Sequence, residues 1–97
     1  MNTWFKEIDR ATTEAQLVTN ARDYCALVHP RDLAPLPSEY REIRIENDAD
    51  IPRLRERLAR GYEGVRNADS DVEKLRDLLS YLSKVTDRLS EIRRHQV

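Results

Sequence analysis

The clearest pattern lies toward the C-terminus. Apolar residues stand at Val72, Leu75, Leu78, Leu79, Leu82, Val85, Leu89 and Ile92. From Leu75 to Ile92 the steps alternate between three and four residues. That a/d heptad spacing gathers the side chains on one face only if the backbone is α-helical. Ser70-Asp71-Val72-Glu73 has the form of a capping box, in which serine and glutamate each satisfy a backbone N–H lacking a helical partner. Asp71 and Glu73 suit the positive end of the helix dipole, and Arg93, Arg94 and His95 the negative end. The pattern predicts a long helix over 70–95.

Upstream, Trp4, Phe5, Ile8 and Ala11 share a helical face, which predicts a short helix over 3–11. Thr13-Glu14-Ala15-Gln16 is a second capping box and marks a new start, or a kink within one helix over 3–29. A helix over 13–29 carries Leu17, Val18, Ala21, Tyr24, Cys25 and Val28 on its stripe. Pro30 ends it, because proline disfavours helical geometry in the preceding residue. Between Pro30 and Asp50 the period is lost. Pro30, Pro35 and Pro37 enclose Leu33 and Leu36, which reads as a connection tucking both leucines against a core. Ser38 starts a turn or two of helix through Tyr40 and Ile43. Arg41 to Glu46 alternates polar and apolar, a strand signal, but such a strand has no partner segment in the chain, so extended backbone is expected. Asp48 or Asp50 then caps a helix over 51–66 that buries Ile51, Leu54, Leu58, Tyr62 and Val65, with Pro52 in its first turn. Gly61 either frays this helix or admits a close neighbour. Asn67-Ala68-Asp69 makes a short turn, so the last two helices form a hairpin.

Together these elements predict an all-α fold in which residues 1–97 form one domain. It is an antiparallel bundle of three main helices with a short N-terminal helix and a heptad seam on the last. Composition agrees: 36% of the residues are charged, 39% are hydrophobic, and only two are glycines. Charged outer faces around one core account for those proportions. The net charge of −1 gives no global attraction to nucleic acid or anionic lipid. The N-terminus has no apolar stretch of the secretory kind, and no run approaches membrane-spanning length. A cytoplasmic protein without membrane partners is expected.

Little points to chemistry. Cys25 is the single cysteine, which excludes an internal disulfide and a cysteine-based zinc site. His29 lies one helical turn beyond it, the spacing of a thiol and a base, yet Cys25 continues an apolar row and reads as structural. Two distant histidines do not make a metal site. The four tyrosines, Tyr24, Tyr40, Tyr62 and Tyr81, read as boundary residues. Arg53, Arg57 and Arg60 share a stripe on helix 51–66, where five arginines face two glutamates. Guanidinium groups match phosphate, so this is a candidate anion-binding stripe for a DNA-associated regulator. Acids precede the helix and no aromatics interleave, so a solvated, ion-paired face is the preferred reading. No cofactor is implied.

The preferred function is a non-catalytic protein–protein interaction module that self-associates as a homodimer or pairs with another helical protein. DNA-associated regulation is the alternative, and a small enzyme with a polar pocket between helices ranks third. Helix 70–95 is about 39 Å long and its hairpin partner about 24 Å. The excess predicts an interaction surface formed by Val85, Leu89 and Ile92, which helix 13–29 and the Trp4 segment can cover only in part. Trp4, Phe5 and Ile8 are expected to dock on the bundle, or else Trp4 and Phe5 add a second apolar element to the interaction surface.

Overall fold

The computed structural model describes residues 3–67 and 72–95. They form an all-α bundle: α1 (Thr3–Arg10), α2 (Glu14–Ala26), α3 (Asp50–Val65) and α4 (Glu73–His95). Two 3-10 turns, Pro30–Leu33 and Ser38–Tyr40, lie in the connection between α2 and α3. No strand occurs among the described residues, and Arg41–Ile45 is irregular. The expected capping box at Ser70 lies outside the described residues, as does part of the turn after Asn67.

Residues 3–26 form two helices because Thr13 caps the second. Its hydroxyl accepts the Gln16 N–H at 3.2 Å, and Gln16 Oε1 returns to the N–H groups of Thr13 and Thr12 at 3.2 and 2.7 Å. Arg88 of α4 holds the elbow from below, its Nη2 donating to the Ala11 carbonyl at 2.8 Å. The second helix stops at Ala26, three residues earlier than Pro30 implies. The N–H groups of Leu27 and Val28 turn back to the Tyr24 and Cys25 carbonyls, at 3.0 and 3.2 Å. His29 is already extended ahead of the proline, at φ −78° and ψ 140°.

Neither Asp48 nor Asp50 caps α3, contrary to the local sequence signal. The cap position is Ala49, with no side-chain hydrogen bond. The Asp50 carboxylate instead accepts the N–H groups of Glu46 and Asn47, at 2.8 and 3.1 Å, and shapes the approach to the helix. Asp48 pairs with Arg93 near the end of α4. Arg93 also bonds Glu14 at 3.0 Å, so one guanidinium ties together the starts of α2 and α3 and the end of α4.

The core runs along α4. Leu75, Leu78, Tyr81, Leu82, Val85, Leu89 and Ile92 are buried. Ile8, Leu17 and Ala21 of the first two helices and Ile51, Leu54 and Leu58 of α3 pack in the same core. Leu33 and Leu36 join it from the connection, as their spacing implies. α3 stays helical through Gly61, and what approaches that glycine is the connection: a Cβ there would lie 2.7 Å from Leu36 Cδ2. Arg41 holds the connection in shape by donating to the Leu36 and Ala34 carbonyls, at 2.7 and 3.1 Å.

Candidate functional site

The proposed C-terminal interaction seam is closed within the chain. Val85, Leu89 and Ile92 are at most 6% exposed. Helix length against α3 alone leaves them bare, and the partial cover expected from helix 13–29 and the Trp4 segment is in fact complete. α1, the elbow and the start of α2 also lie over this part of α4, fastened by Lys84–Asp9 at 3.3 Å and by Arg88 and Arg93.

Trp4 and Phe5 are half-buried and join an aromatic cluster. Tyr24 and Tyr81 stack with centroids 3.8 Å apart and planes 7° apart. Trp4 meets Tyr24 edge-on at 5.6 Å, and Phe5 lies 6.2 Å from Tyr81. The Lys84 ammonium stands 5.4 Å from the Phe5 ring centre. Tyr81 is not a boundary residue: it is fully buried, with its hydroxyl donating to Asn20 Oδ1. Burial raises its pKa, and the neighbouring Cys25, Tyr24 and Asp23 push the same way. Tyr24 is raised mainly by burial and then by the charge of Asp77.

The arginine stripe is engaged locally. Arg60 pairs with Glu56 at 2.6 Å, Arg57 donates to the Glu42 carbonyl, and the charge of Arg53 helps lower the pKa of Asp50. Cys25 and His29 do not form a catalytic pair. Burial pushes the Cys25 thiol up to about 11, which suppresses the thiolate. His29 is occupied as a cap, its Nδ1 accepting the Arg31 N–H at 3.2 Å while Asp32 accepts the His29 N–H. No group of histidine, cysteine and acidic residues that could hold a metal occurs among the described residues. No described helix is long and apolar enough to cross a membrane.

Two surface features emerge instead. The first is Leu27, 69% exposed and the most exposed large hydrophobic among the described residues. It forms part of the wall of a hollow of about 180 Å³, together with Tyr24, Val28, Leu78, Asp32, Lys74 and Asp77. A signal for this was present in the sequence, because Leu27 falls off the stripe formed by Leu17, Ala21, Tyr24 and Val28. The second is an open groove of about 510 Å³ between α1 and α2, walled by Glu7, Arg10, Gln16, Asn20 and Asp23. Its polar residues look in the sequence like any solvated helix face. Comparison with known proteins gives no further lead: no family model, curated protein or solved structure matches the chain.

Proposed function

We propose that this chain is a non-catalytic helical interaction module that self-associates through the bundle end marked by Leu27. The observation that carries this reading is an exposed leucine on the wall of a hollow that it shares with Tyr24, Val28 and Leu78. A lone exposed leucine needs no explanation, but one adjoining such a hollow makes a self-complementary surface. Two copies related by a two-fold axis place each Leu27 against the Tyr24, Val28 and Leu78 of the other. The rim suits the same partner, since Lys74 stands among Asp32 and Asp77 and like surfaces then bring unlike charges together. The half-buried Trp4, edge-on to Tyr24, extends the apolar area on this side.

Sedimentation of the parent and of Leu27→Glu tests the reading. The expected result is a concentration-dependent dimer that Leu27→Glu converts to a monomer with an unchanged melt, because the side chain contributes little to the core. A parent that stays monomeric at high concentration refutes self-association. A dimer that Leu27→Glu leaves intact refutes the placement of the interface.

A further inference from the structure

We infer that the groove between α1 and α2 binds a short peptide with free ends. Its carboxylate would lie toward Arg10 and Gln16 and its ammonium toward Asp23. At about 510 Å³ the groove falls within the range of small-ligand sites. The inference does not depend on self-association, since the groove walls and the Leu27 hollow share no residue.

Hydrogen-bond accounting gives the groove its donors. A side-chain amide offers one carbonyl oxygen and one NH₂ group. The fold uses both oxygens. Gln16 Oε1 takes the Thr12 and Thr13 N–H groups and the Thr12 hydroxyl, and Asn20 Oδ1 takes the Tyr81 hydroxyl. These contacts fix which way each amide is turned and leave its NH₂ without a partner among the described residues. The two residues are four apart on α2, so they lie on one helix face. A pair of held NH₂ donors suits carboxylate or peptide carbonyl oxygens, and the fold has already ordered them.

Charge then grades the groove along its length. Trp4 faces Tyr24, while Ala11 and Thr12 form the elbow, so the chain order runs opposite ways along the two walls. Arg10 therefore stands toward the end where Gln16 lies, and Glu7 toward Asn20 and Asp23. The elbow end presents a cation and an amide donor and the far end the Asp23 carboxylate, with Glu7 between them. Arg10 and Glu7 approach each other at 3.5 Å, but with side chains 74% and 55% exposed. Such a pair is worth little and is easily exchanged for ligand contacts.

Spacing selects the ligand class. Gln16 and Asp23 are seven residues apart, a rise of about 10 Å along the helix. Extended peptide advances about 3.3–3.6 Å per residue, so the charged ends of a tripeptide span that distance and those of a single amino acid do not.

Triglycine is the probe. Titrated into the ¹⁵N-labelled protein, it should shift the side-chain NH₂ signals of Gln16 and Asn20 and the backbone signals of 7–23, with millimolar affinity. N-acetyl-triglycine, triglycine amide and free glycine should each bind at least about fivefold more weakly, as expected for loss of one ionic contact of roughly 1 kcal/mol. Asp23→Asn is on the surface and should weaken triglycine while leaving N-acetyl-triglycine unaffected. Arg10→Gln should do the same with respect to triglycine amide. No shift at tens of millimolar, shifts outside the groove, or equal binding of end-blocked peptides would overturn the inference. The Leu27→Glu variant should bind triglycine as the parent does, so the two proposals stand or fall separately.

Discussion

Replacing Gly61 with alanine sets two magnitudes against each other at one atom. In a helix interior, alanine is favoured over glycine by about 0.8–1.0 kcal/mol. Gly64, one turn on, isolates that gain: it is exposed, and an added Cβ would meet nothing within 4 Å. Gly64→Ala should therefore stabilise the protein by roughly 0.5–1 kcal/mol. At Gly61 the same Cβ would lie 2.7 Å from Leu36 Cδ2, 3.2 Å from Tyr40 Cγ and 3.4 Å from Tyr40 Cβ. A leucine methyl group at a surface could swing aside. Leu36 is 1% exposed, and its backbone carbonyl is held by Arg41, so the connection itself must shift. Overpacking of this kind costs about 1–3 kcal/mol. The propensity gain offsets part of it, leaving a net loss of up to roughly 2 kcal/mol for Gly61→Ala. For a domain of this size 1 kcal/mol moves the melting temperature by about 4–8 °C, so Gly61→Ala should melt clearly below Gly64→Ala, by a gap a thermal melt resolves easily. If Gly61→Ala melted at or above Gly64→Ala, Leu36 and Tyr40 would not be packed on that face of α3.

Three further outcomes are expected. Leu82 is fully buried in the middle of α4, so Leu82→Ala should lose about 2–5 kcal/mol in urea denaturation, and an unchanged midpoint would place the α4 core elsewhere. Trp4 packs edge-on against Tyr24, so its emission should be blue-shifted in dilute protein and move to the red on unfolding; a water-like spectrum in the folded state would mean α1 is undocked. Cys25 is raised from 9.0 to about 11, and Tyr24 and Tyr81 are also raised from 10.0. A raised acid binds its proton more tightly when folded, so stability should be full below pH 9 and fall as the pH climbs through 9–11. Cys25→Ala should remove the first part of that fall, and a flat profile to pH 11 would contradict the burial of these groups.

What could be read from the chain depended on how local its cause was. The apolar positions of α4 obey a period that a single helix must satisfy, and the Thr13 capping box lies within four residues, so both were legible. Asp48 and Asp50 fail as caps for the opposite reason. A carboxylate before a helix has several competing donors, and here the backbone of Glu46 and Asn47 takes one acid while Arg93, forty-five residues away, takes the other. The cover over Val85, Leu89 and Ile92 was legible only in part: helix 13–29 and the Trp4 segment are candidate covers in the sequence, but how far they reach depends on where α1 and the elbow fold back, and that is fixed by long-range groups such as Arg88.

The same distinction explains why the groove was missed. Gln16 and Asn20 look like solvent-facing residues of α2, and in an isolated helix they would be. One amide is turned by the elbow at Thr12 and Thr13, the other by a tyrosine hydroxyl sixty-one residues away in sequence. Only after α4 docks does Tyr81 become buried and need an acceptor, and Asn20 supplies it. The requirement to satisfy a buried phenol thus orients a surface amide. Packing of the core and the chemistry of the groove are consequently coupled at one hydrogen bond. Tyr81→Phe keeps the ring stacked on Tyr24 but frees the Asn20 amide to rotate. It should weaken triglycine binding while barely moving the melt, a separation that a purely structural role for Tyr81 would not produce.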